Sequence, residues 1–147
     1  MGIEIQGMDE FESELLKLAQ ERLPRQSKNF LQRAGNKLRQ KAREAYKADI
    51  QRTKKQGGTG NLLKGLKRGR AYKYNDEAFQ VRVKNTAPHA HLFEHGHRMI
   101  DHDGKPAKRT RYVKGRHTMG RVARSFEGEF AQMAEQFTTD LVNEGKL

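Results

Sequence analysis

Thr86-Ala87-Pro88-His89-Ala90-His91-Leu92-Phe93-Glu94-His95-Gly96-His97 admits two incompatible readings, and the choice between them decides the fold. As chemistry, His91-x-x-Glu94-His95 has the spacing of the inverted zinc peptidases. On a helix His91 and His95 would share one face, as two imidazole ligands of Zn²⁺ must, and Glu94 would polarise a metal-bound water. As architecture, Pro88 sets the first turn of a short helix and Gly96 caps its end. That helix is barely two turns long, and the third ligand would have to come from Glu127, Glu129 or Glu135. A chain of 147 residues buries one modest core and leaves little for a substrate cleft. A short motif match carries a high false-positive rate, so His89, His91, His95 and His97 are read as exposed residues on and beside a capped helix, with no metal, no cofactor and no catalytic residue assigned.

Working outward, the segment before this stretch alternates. Arg70-Ala71-Tyr72-Lys73-Tyr74 and Ala78-Phe79-Gln80-Val81-Arg82-Val83, separated by Asn75-Asp76-Glu77, predict a β-hairpin with Tyr72, Tyr74, Phe79, Val81 and Val83 on its buried face. His97 to Ile100 predicts a third strand and Tyr112-Val113 a short fourth, within an irregular basic segment over 101–117. Met119, Val122, Ala123, Phe126, Phe130, Met133, Ala134, Phe137 and Leu141 keep helical register from Thr118 to Asn143. Upstream, Asp9-Glu10-Phe11-Glu12 forms a capping box for a short helix with Phe11, Leu15, Leu18, Ala19 and Leu23 on one face, broken at Pro24. From Gln26 to Thr53, Phe30, Leu31, Ala34, Leu38, Ala42, Ala45, Tyr46 and Ile50 mark a long helix with one apolar and one strongly basic face. A flexible basic loop over 51–60 and at most one helical turn at Asn61–Leu66 follow. The class is α+β: N-terminal helices, a small antiparallel sheet with a hairpin, and a long C-terminal helix packed on the sheet. Residues 1–147 form a single domain, with 1–25 as N-terminal helix and linker and 26–143 as the α+β core.

Composition bounds the function. Apolar residues make up 34% against 33% charged, so the core is thin for the length and help from partners is expected. No apolar run approaches the roughly 20 residues needed to span a bilayer, so no membrane partner is expected. Met1-Gly2-Ile3-Glu4 lacks the basic and apolar parts of a secretory signal. With no Cys there is no disulfide framework, no Cys-ligated zinc and no thiol nucleophile. The formal net charge is +12 and unevenly spread: between Arg22 and Lys73 the only acids are Glu44 and Asp49, and between Lys105 and Ser125 there are none. Both ends are acidic. Such polarity suits association of copies, acidic face on basic face, or contact with DNA.

A basic helix, then Thr59-Gly60-Asn61-Leu62 leading into a hairpin, then Asn85-Thr86-Ala87-Pro88-His89-Ala90 with Glu94-x-Gly96, then a long C-terminal helix: this order resembles the bacteriophage minor tail component family whose namesake is the HK-ninety-seven-like gene product ten. The family typically shows Thr-Gly-x-Leu, then Ala-Pro-Tyr-Ala followed by Glu-x-Gly. Thr59, Gly60 and Leu62 match the first element; Ala87, Pro88, Ala90, Glu94 and Gly96 match the second. His89 stands where Tyr is usual, which keeps a planar, hydrogen-bonding ring. The resemblance extends over residues 26–143. It implies a non-enzymatic virion protein of the head-tail junction, of the tail-completion, neck or tail-terminator type, assembled in the host cytoplasm into a hexameric homo-oligomeric ring on the tail tube. Tail-tube and head-connector proteins would be its neighbours. Arg52, Lys54 and Lys55, with Lys105, Lys108, Arg109, Arg111, Lys114 and Arg116, would face the DNA channel, touching DNA nonspecifically, or dock on the adjoining ring. Glu94 would hold nearby backbone amides or pair with a base such as Arg98. The alternatives are a basic DNA-binding protein and a zinc-dependent hydrolase acting through His91, Glu94 and His95.

Overall fold

A computed structural model of the chain describes residues 13, 22–52, 60–73, 79–99, 104 and 112–144. The expected first helix lies outside the described residues, apart from Ser13, which is helical, and Leu23, which belongs to the next helix. That helix, α1, runs Leu23–Arg52. Pro24, expected to separate two helices, sits in its first turn, directly after a π-helical residue at Arg22.

The C-terminal helix α4, Thr118–Glu144, was expected to cover the sheet. Its Val122 shares the buried core with Leu66 of the sheet, and its main partner is α1. The two run antiparallel: Asp49 meets Thr118 and Arg121, Lys37 and Lys41 meet Glu129, and Gln26 meets Glu144. The physical reason is aromatic. Phe30 stacks on Phe137 with ring centroids 4.6 Å apart and leans on Phe130 at 5.9 Å, contacts that contribute beyond the area they bury. Lys37 and Lys41 donate to Glu129 and hold its carboxyl below the usual range. Of the expected stripe, Val122 and Phe126 are buried, whereas Ala123 is exposed and Phe130 sits at the margin.

Between the helices lie α2 (Asn61–Lys64), β1 (Leu66–Arg68), β2 (Tyr72–Lys73), β3 (Phe79–Gln80), β4 (Val83–Asn85), α3 (Ala90–His95), β5 (Gly96–Arg98) and β6 (Tyr112–Lys114). Among the described residues the strands form three two-stranded antiparallel ribbons, β1–β4, β2–β3 and β5–β6. The hairpin is longer than the alternation indicates, because β1 and β4 extend it toward its base. Its two ladders are also out of step. Arg68 pairs with Val83 and Tyr72 with Gln80, so three residues, 69–71, face two, 81–82. This one-residue bulge flips every side chain beyond it. Phe79 and Val81 turn toward α1, where Val81 and Arg68 pack on Gly35 so closely that an added Cβ would lie 2.8 Å from Val81. Tyr72, expected on that buried face, points the other way and donates to Gln80. Tyr74 lies outside the described residues.

Ala42, Tyr46, Leu66 and Val122 form the buried centre, with Leu38, Leu62, Leu63, Phe93 and Met119 around it. Tyr46 is 1% exposed and stacks on Phe93 at 5.6 Å. Burial first, and then the Glu94 and Asp49 carboxylates, push its phenol up to about 12 against an opposing hydrogen bond from Asn85. A folded pKa raised above the unfolded value of about 10 means stability that is full below pH 10 and lost as pH climbs toward 12. Chemical denaturation at pH 9 and pH 11.5 is expected to show a larger loss for the parent than for Tyr46→Phe. An equal loss in both would remove Tyr46 as the titrating group.

Candidate functional site

The second motif region is held by two clasps, one to the first motif region and one to α4. At the first, Gly60, with φ 73°, starts α2, and the strand end Asn85-Thr86-Ala87 lies against its turn. Asn85 Nδ2 donates to Leu62 O at 2.9 Å while its Oδ1 accepts from Ala87 N at 3.0 Å. Thr86 gives both its amide, at 2.8 Å, and its hydroxyl, at 3.1 Å, to Gly65 O. Asn85 is thus a joint between the two motifs, with the donor and acceptor on one side chain that such a joint requires. The spacing of Asn85 from Ala87 was visible in the sequence; its partner across the hairpin was not.

The second clasp ties α3 to α4. Three successive carbonyls at the end of α3 are taken: Phe93 O by Arg116 N at 2.8 Å, Glu94 O by His117 N at 3.1 Å and His95 O by the Tyr112 hydroxyl at 2.9 Å. The Glu94 carboxylate then reaches the start of α4, with Oε2 accepting from Met119 N and Oε1 from Gly120 N, each at 3.1 Å. First-turn amides lack intrahelical acceptors and carry the positive end of the helix dipole, so a carboxylate there is doubly favourable. Asp49 adds a second acid to the same helix start, 3% exposed and bonded to the Thr118 hydroxyl at 2.7 Å and to Arg121. Gly96 ends α3 with φ 85° and ψ 170°, and its neighbour across the crossing is Gly115, at whose Cβ position the backbone of Glu94 and His95 already lies. Ala90 is buried at the head of α3 and donates its amide to Ala87 O at 3.1 Å; Pro88 lies in the turn before it rather than inside the first helical turn.

The zinc reading finds no support in this geometry. Glu94 is engaged by α4, His91 and His95 are exposed on a helix of six residues, and among the described residues no three His, Asp or Glu side chains converge. His97 Nδ1 is buried without a hydrogen-bond partner among the described residues. Of the basic loop residues, Lys114 and Arg116 are exposed and Arg52 ends α1. Lys54, Lys55, Lys105, Lys108, Arg109 and Arg111, and the motif residue Thr59, lie outside the described residues. A cationic surface missed from sequence lies on the outer face of the hairpin: Lys67 stands directly opposite Lys84, and the Arg82 guanidinium sits 5.4 Å from the Tyr72 ring centre.

The described motif residues thus hold backbone to backbone, as in a structural α+β subunit. Residues 9–96 match the family described as "Bacteriophage HK97-gp10, putative tail-component", and the chain belongs to that family. The match begins before residue 26 and ends at Gly96, short of the C-terminal helix to which the resemblance was drawn. No curated protein and no solved structure gives a significant match. Proteins of this family are tail components, typically structural rather than catalytic. No helix among the described residues is long and apolar enough to cross a membrane.

Proposed function

We propose that the chain, as one domain, is a tail-completion, neck or terminator subunit that assembles into a ring at the head end of the tail tube and there contacts tail-tube and connector proteins. The observation that carries this reading is an unfinished surface. All three residues of β6 are exposed, and Tyr112 (62%), Val113 (40%) and the adjacent Met99 (46%) present apolar side chains to solvent among the described residues. Monomers rarely leave such patches bare, and a subunit that buries them against identical neighbours needs no catalytic group. Native mass spectrometry and negative-stain imaging of the protein, alone and mixed with tail tubes, are expected to show a closed ring. A chain that stays monomeric in both settings overturns the assignment.

The Lys67–Lys84 pair favours a second reading, nonspecific contact with DNA. Like charges directly opposite in a ladder are destabilising, and a phosphate backbone relieves them. Duplex binding is expected to weaken steeply with salt, and Lys67→Ala with Lys84→Ala to reduce the log–log slope by about 2, since each phosphate contact contributes about 0.9. An unchanged slope assigns the lysines to a protein neighbour.

A further inference from the structure

We propose that an apolar groove beside the first turns of α1 receives residues 9–21 of a second copy of the chain; this rests on, and deepens, the ring reading above. The groove is walled by Leu23, Phe30 and Leu31 of α1, Phe79 and Lys73 of the hairpin and Phe137 of α4, and encloses about 400 Å³. Among the described residues no acid lines it, and Leu23 at its mouth is 38% exposed. Lys73 lines it, and Arg25 and Lys28 follow the lining residues Pro24 and Ser27 in sequence; all three bases are exposed.

The occupant is identified by shape and charge. Residues 9–21 place Phe11, Leu15, Leu18 and Ala19 at helical spacing, a stripe suited to an apolar groove. The same segment carries Asp9, Glu10, Glu12, Glu14 and Glu21 against the single base Lys17, the charge that a basic rim attracts. The direction of the chain selects a neighbour's groove over its own. Arg22 already follows a helical path into Leu23, so no reversing turn separates it from α1. The groove flanks the residues that come after this junction, 23–31. A segment seated on the next copy, whose own segment is seated on the one after, is a head-to-tail contact, which closes into a ring when the rotation between copies permits.

The chain contains no Cys, so introduced cysteines report only the intended pair. Full-length Leu15→Cys bearing a size tag is mixed with untagged Thr138→Cys and oxidised; a second mixture pairs Leu18→Cys with Ser27→Cys. Thr138 is exposed and Ser27 half-buried, so both tolerate the change, and circular dichroism confirms folding. A disulfide needs Cα atoms roughly 4.4–6.8 Å apart, so the expected result is a mixed-size dimer in at least one mixture, its yield falling several-fold at high salt. If neither mixture links, or if the Leu15→Cys/Thr138→Cys double variant instead closes within one chain, the inference is overturned. The mass of the uncrosslinked protein, measured in parallel, separates this failure from that of the ring: a ring without links retains the ring reading, whereas a monomer without links removes both.

Discussion

Gly96→Ala is expected to destabilise the protein by about 3 kcal/mol or more, read as a fall in the urea midpoint with an unchanged slope. Two costs combine at this position. The backbone holds φ 85° and ψ 170°, a region essentially confined to glycine and costing other residues about 1–3 kcal/mol. The new methyl would also lie 2.5 Å from Val113 O, 2.6 Å from the Tyr112 hydroxyl and 2.7 Å from Gly115 N, none of which can withdraw without breaking the β5–β6 ribbon or the Tyr112 bond to His95. Overpacking of this kind adds about 1–3 kcal/mol. Gly115→Ala is expected to act in the same direction, because its methyl would collide with the backbone of Glu94 and His95. A Gly96→Ala variant that unfolds within about 1 kcal/mol of the parent would show that the two segments do not cross as described.

Glu94→Ala is expected to cost about 2–3 kcal/mol. It removes two charge-assisted hydrogen bonds to the amides of Met119 and Gly120 and leaves a half-buried helix start with Asp49 as its remaining acid. Glu94→Gln keeps an acceptor oxygen but loses the charge and one of the two bonds, so about half the loss is expected. The effect is local in a way hydrogen exchange can read. Amides 119 and 120 should lose protection while those near Phe126 keep theirs, because the Phe30, Phe130 and Phe137 contacts hold the remainder of α4 to α1. Uniform loss of protection along α4, or none, would contradict the clasp.

Both effects arise from a stretch whose helix boundaries could be read from residue types alone. Gly96 after an apolar turn signals a helix end, and Pro88 a start close by. The two long helices were equally legible, since an apolar stripe repeated over seven or more turns has little other use. The hairpin was visible as alternation, but its inward face was misassigned at Tyr72, because a bulge adds one residue to one strand without changing the alternation of either. The site showed the same division. Glu94 stood out by its motif, whereas its partners, 25 and 26 residues later, are backbone amides that carry no residue signature.

Local chemistry is thus what residue order by itself determined: where α1, α3 and α4 run, that the strands are short and antiparallel, that Gly96 ends a helix, and that no thiol chemistry is available. Family membership was legible too, because it resides in Thr-Gly-x-Leu, Ala-Pro-x-Ala and Glu-x-Gly spacings. Tertiary structure alone decided that α4 takes α1 as its main partner, that Tyr72 faces outward, and that the Glu94 carboxylate closes on a helix start instead of a metal. Each of these depends on pairing between distant parts of the chain, set by shape and by unsatisfied backbone groups, and neither leaves a periodic mark in the sequence.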